Sequence, residues 1–93
     1  MYELEARFDS RQSFYDKARV ATYQETDRHG LQLYSYGTLV AEVIFHTDLV
    51  AFFCYGKYSQ TTTRHQKEFF KQNDLSDKEI RELFKNGHLE RLF

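Results

Sequence analysis

The chain has 93 residues and a formal net charge of −1. That length supports one core and one domain, residues 1–93, and near-neutrality argues against a general nucleic-acid coat protein, which needs excess Lys and Arg for phosphate. Cys54 is the single cysteine, so no intramolecular disulfide can form; a buried thiol in a reducing, cytoplasmic setting is the simpler reading. The amino terminus is charged and alternating, and no run approaches the ~18 apolar residues of a membrane helix, so neither a signal peptide nor a membrane association is expected.

Tyr2, Leu4, Ala6 and Phe8 alternate with Glu3, Glu5 and Arg7, a period of two that predicts a half-buried first strand. Residues 10–15 read as a helical turn or structured loop that drops Phe14 into the core. Residues 17–25 alternate again and predict a second strand. The polar stretch Thr26-Asp27-Arg28-His29-Gly30 should then be a hairpin loop ending in glycine. Residues 31–36, 39–46 and 49–55 follow as three further strands with short connections, so an antiparallel meander is the default. Leu39, Ala41, Val43 and Phe45 would share one face of the fourth strand, with Val40, Glu42 and Ile44 on the other. Both faces of the fourth and fifth strands read as largely apolar.

After Tyr58 the period changes. Ser59 or one of Thr61, Thr62 and Thr63 should cap a helix running to about Gln72, with Phe69 and Phe70 as its thin apolar content. Ser76-Asp77-Lys78-Glu79 is a capping box, with Leu75 and Ile80 placed as its hydrophobic staple and Gly87 as the stop. Residues 88–93 are read as one more helical turn docked through Leu89, Leu92 and Phe93. The fold class is therefore α+β: an antiparallel sheet of about five strands, over about residues 2–58, followed by two carboxy-terminal helices on one face, over about residues 60–90.

No catalytic motif is present. His29, His46, His65 and His88 stand at no ligand spacing from one another or from Cys54, so no metal or cofactor is expected. Thr61-Thr62-Thr63-Arg64-His65 could form an anion site at a helix start, although capping threonines and a solvated Arg64 explain it without a ligand. Lys57, Arg64, Lys67 and Lys71 face the single acid Glu68 between residues 56 and 71, a local basic excess. Tyr34 and Tyr36 point the same way from the third strand, with Tyr23 beside them. Such a row can stack unpaired bases, line a core or anchor a protein interface, and the lack of an interleaved Lys or Arg on that strand ranks base stacking last. The binding candidates are Tyr34, Tyr36, Lys57, Thr62, Arg64, His65 and Lys67.

Three stretches, FDSRQSFYDKARV (8–20), LYSYGTLVAEV (33–43) and YSQTTTRHQKEFFKQ (58–72), resemble one family of small domains of unknown function encoded by bacteriophages and conjugative elements. The resemblance spans residues 7–72 and carries shared positions at Ser35, Thr38, Thr62, Arg64 and His65. It implies a mobile-element origin and no established catalysis. Short standalone proteins of such elements commonly disable a host defence effector, as anti-CRISPR proteins do. The leading expectation is thus a non-enzymatic inhibitor that binds a host protein effector such as a CRISPR-Cas complex in the host cytoplasm. The alternative is a small nucleic-acid-binding accessory protein using the basic segment of residues 57–71. A small nuclease built on His65 and Arg64 is the least favoured reading.

Two short helices can cover only one face of such a sheet. A surplus apolar set drawn from Val40, Ile44, Val50 and Phe52, or from their opposites, is therefore expected to need a cover. A homodimer partner or a bound target would supply it.

Overall fold

A computed structural model describes residues 1–9, 13–56 and 59–92. Six strands form one antiparallel sheet in sequential order: β1 (Tyr2–Glu3), β2 (Ala18–Gln24), β3 (His29–Ser35), β4 (Thr38–Phe45), β5 (Leu49–Cys54) and β6 (His88–Leu92). Helices α1 (Gln60–Gln72) and α2 (Asp77–Asn86) lie between β5 and β6 and cover one face, α1 over β3 and β4, α2 over β5 and β6. The α+β class and the antiparallel meander are as expected from the sequence.

The covered face is built from alternate residues. Ala18 and Val20 on β2, Leu33 on β3, Ala41 and Val43 on β4, and Val50, Phe52 and Cys54 on β5 are buried against Phe69, Phe70, Ile80 and Leu83 of the helices. Phe14 enters this core from its loop, as expected. Helix α1 starts at Ser59, whose hydroxyl accepts from the Thr62 amide. Helix α2 has the full capping box between Ser76 and Glu79 and ends at Gly87 in the left-handed region.

Five sequence expectations change. The first strand is two residues long rather than spanning 2–8. Beyond Leu4 the chain leaves the sheet and is tied to α1, where buried Glu68 accepts from the amides of Phe8 and Asp9 and Gln72 donates to the Glu5 carbonyl. Gly30 lies inside β3 rather than in the loop, because the Tyr23 ring lies across it; a Cβ there would come within 2.4 Å of that ring. Residues 88–92 form a sixth strand, not a helical turn. Gly87 turns the chain back, and the free edge of β5 offers a full set of backbone partners that a solitary turn lacks.

The fourth change concerns faces. Leu33 opposes Ala41 while Tyr34 opposes Leu39, so Val40 is the extra residue of a β-bulge. The bulge places Val40 and Ala41 together in the core, and the Val40 carbonyl accepts from both the Gln66 side chain and the Tyr55 amide. Val40, Val50 and Phe52, expected among the surplus apolar residues, are core; only Ile44 of that set lies on the uncovered face. The fifth concerns Tyr36, which turns off β3 into the β3–β4 hairpin instead of sharing a row with Tyr34.

Candidate functional site

The sequence candidates separate into three places. Thr62 and His65 belong to the core face of α1: the Ser35 hydroxyl lies 2.8 Å from His65 Nδ1 and 3.0 Å from the Thr62 hydroxyl, and all three residues are buried. Phe14 packs edge-on against the imidazole at 4.7 Å and Tyr36 lies over it at 5.9 Å. This cluster ties the β3–β4 hairpin to α1. At 1 % exposure His65 offers no surface to a substrate.

Arg64 and Lys67 lie on the outer side of α1, beside Lys71, Phe8, Asp9 and Glu68. Arg64 faces Asp9 at 3.8 Å and Lys71 faces Asp77 at 3.3 Å, so two of the three cations in this stripe already have an acid nearby. Lys57 lies outside the described residues. At the start of α1, Ser59 is the cap and Thr62 is buried on the core side.

Tyr34 sits on the uncovered face, directly opposite Arg19, and its hydroxyl donates to Gln32 Oε1 at 3.4 Å. Tyr36 and Gly37 both have positive φ, the two-residue hairpin conformation that usually selects Asn-Gly. Tyr36 is more than half exposed, and Lys17 Nζ stands 5.5 Å from its ring centre. The basic groups missing from strand β3 are thus supplied by Lys17 and Arg19 across the sheet, although Arg19 is paired with Asp16 at 3.2 Å.

Sequence reasoning passed over the centre of this face. Glu42 on β4 accepts from the Tyr55 hydroxyl at 2.8 Å and from Gln32 Nε2 at 3.4 Å. Phe53 stands directly opposite it on β5, stacked with Tyr55 at 6.3 Å and 5.0 Å from the His88 ring. Tyr23 reaches toward it across Gly30. Burial first, then the Glu42 charge, raises the Tyr23 phenol above its ordinary value, while burial and the Glu42 hydrogen bond push Tyr55 up to about 12. Both phenols therefore stay protonated as donors at neutral pH. The legible signal was Glu42 itself, the one acid among the apolar residues 39–45.

Cys54 is buried on the opposite, covered face, and burial pushes its thiol up to about 11, which leaves it a poor nucleophile. Among the described residues, no cluster of His, Cys, Asp and Glu could hold a metal ion, and no helix is long and apolar enough to cross a membrane.

No curated protein and no solved structure matches this sequence. The model of a family of unknown function, DUF8033, matches residues 2–86, well beyond the limits of the resemblance seen in the sequence, and the chain belongs to that family.

Proposed function

We propose that this chain is a non-enzymatic binding domain that holds a protein partner on the uncovered face of its sheet. The observation that carries the reading is the group at the centre of that face: Glu42 hydrogen-bonded to Tyr55 and Gln32, with Phe53 opposite and Tyr23, Tyr34, Leu39 and Ile44 around it. Aromatic side chains around a few fixed polar groups are the composition of protein-interface centres. The narrower form of the proposal, an inhibitor of a host defence effector such as a CRISPR-Cas complex acting in the host cytoplasm, rests on the resemblance to mobile-element domains. A sheet face that needs no catalytic residue is compatible with it.

A photocrosslinking side chain at position 39, on this face, tests the reading against one at exposed position 81 on α2. The expected result is a covalent adduct with one protein from position 39 only. That partner, once purified, should bind the wild-type domain and lose binding to Ile44→Glu while the circular dichroism spectrum stays unchanged. Equal adducts from both positions, or no adduct from position 39, would overturn it. An adduct of twice the chain mass would assign the face to a symmetric dimer instead.

A second reading, a nucleic-acid-binding accessory protein, is favoured by one observation: Lys17 and Arg19 line a cleft with Tyr34 and Tyr36. Glu42 and Glu90 on the same face and the net charge of −1 weigh against it. Salt-dependent binding of single-stranded DNA or RNA at micromolar protein, lost in Tyr34→Ala, would favour it over the first.

A further inference from the structure

We infer that Glu42 and the aromatic side chains around it receive a cationic side chain, an arginine or lysine of the partner; this deepens the proposed use of the sheet face and rests on it. Four observations converge on that chemistry. First, Glu42 is half-buried, yet among the described residues no Lys, Arg or His forms an ion pair with it. Arg28, which lines the same groove, is held by Glu25 at 2.8 Å. A partly desolvated carboxylate without a counter-charge is costly, and neutral phenol and amide donors offset only part of that cost.

Second, the carboxylate keeps acceptor capacity. Tyr55 donates to Oε1 and Gln32 to Oε2, and the Tyr23 hydroxyl is a third donor toward it, which leaves about one of its roughly four lone-pair sites. Third, its surroundings are aromatic: Phe53 directly across the β4–β5 ladder, Tyr55 two residues further along, and Tyr23 from two strands away. Aromatic rings beside a carboxylate attract ammonium and guanidinium groups through both the ring quadrupole and the charge. Fourth, a groove opens beside Glu42, lined by Tyr23, Glu25, Arg28, Gln32 and Ile44. Two acids against one base leave it net negative, complementary to a cation and repellent to phosphate.

Gly30 has a defined part in this arrangement. A Cβ at that position would lie 2.4 to 2.6 Å from Tyr23 Cε1, Cζ and the hydroxyl oxygen, so only glycine lets the ring lie across β3 toward Glu42. A side chain there would swing the ring away without touching the core face. Glycine opposite an aromatic on a neighbouring strand is a known compensation for its poor strand propensity. Here the same pairing also aims the phenol.

The test needs no partner protein. The wild-type domain is titrated with N-acetyl-arginine amide, N-acetyl-lysine amide and, as an uncharged straight-chain control, N-acetyl-norleucine amide, followed by amide chemical shifts. The cations should shift residues 23, 30–32, 42 and 53–55 with dissociation constants on the order of millimolar, and norleucine amide should not. Glu42→Gln should weaken the cations about tenfold. Gly30→Val should weaken them several-fold, with the remaining spectrum native, and Arg81→Ala should leave them unchanged. Norleucine amide binding equally well, or a Glu42→Gln domain that binds the cations as wild type, would overturn the inference. The two proposals fail separately: a crosslinked partner unaffected by Glu42→Gln sinks this one alone, and a cation site with no partner adduct from position 39 sinks the other.

Discussion

The two faces of the central strands carry residues of similar type and put them to different use. On β5, Phe52 and Phe53 are neighbours in sequence. Phe52 is 1 % exposed beneath the helices, while Phe53 is half-buried on the uncovered face beside Glu42, Tyr55 and His88. Each face also has a polar cluster. Ser35, Thr62 and His65 hydrogen-bond with one another inside the core, whereas Glu42 gathers donors at the surface with no counter-charge among the described residues. The first cluster is closed and fixes the hairpin to α1. The second is open to solvent and incomplete in charge. The difference teaches that a polar group's completeness, more than its residue type, separates a structural cluster from a binding one.

The comparison breaks most visibly at the adjacent phenylalanines. Phe52→Ala should cost about 3–5 kcal/mol by cavity formation, and Phe53→Ala about 1 kcal/mol or less, read from urea unfolding midpoints at unchanged slope. Similar losses would mean that the second face is also core. His65→Ala comes next. It leaves the Ser35 and Thr62 hydroxyls short of a buried partner and should cost about 1–3 kcal/mol, with cation binding at Glu42 unchanged. Ile44→Glu should alter stability by about 0.5 kcal/mol at most while removing partner binding. If it unfolds the domain, the uncovered face is ordinary core.

The smallest expected effect is a pH dependence confined to the covered side. The Ser76 backbone amide and then Arg91 hold the Glu79 carboxyl below its ordinary value. Its folded-state value lies under the unfolded one, so the stability it contributes is complete above the unfolded value of 4.5 and is lost as pH falls through the folded one. Glu79→Gln should therefore flatten the acid limb of the thermal midpoint curve below about pH 4.5 and leave the neutral region nearly parallel to wild type. An unchanged acid limb would remove Glu79 from the account.

Much of the fold was readable because it depends on short-range rules. The alternation of Ala18 and Val20, the box at Ser76 and Glu79, and the stop at Gly87 each act within a few residues, so local pattern and local structure agree. Residues 88–92 were misjudged for the opposite reason: Leu89 and Arg91 face the covered side only because β5, more than thirty positions earlier, offers an edge to pair with. The stripe of α1 looked thin in apolar content because its core positions are Thr62, His65 and Gln66. Their polarity makes sense only against Ser35 and the Val40 carbonyl.

The chain by itself determined the class, the antiparallel order, the caps and the absence of a catalytic motif, all consequences of periodicity and local chemistry. Tertiary structure alone decided which residues meet. One extra residue at Val40 moved Leu39 to the uncovered side and Val40 into the core, a reversal that strict alternation cannot foresee, because a bulge exists only in the pairing of two strands. Register likewise brought Tyr23, Gly30, Glu42, Phe53 and Tyr55 together from four strands and the end of one. Removing Glu42 partly from water, with no cation paired to it among the described residues, is a property of that assembly, and none of these residues carries it alone.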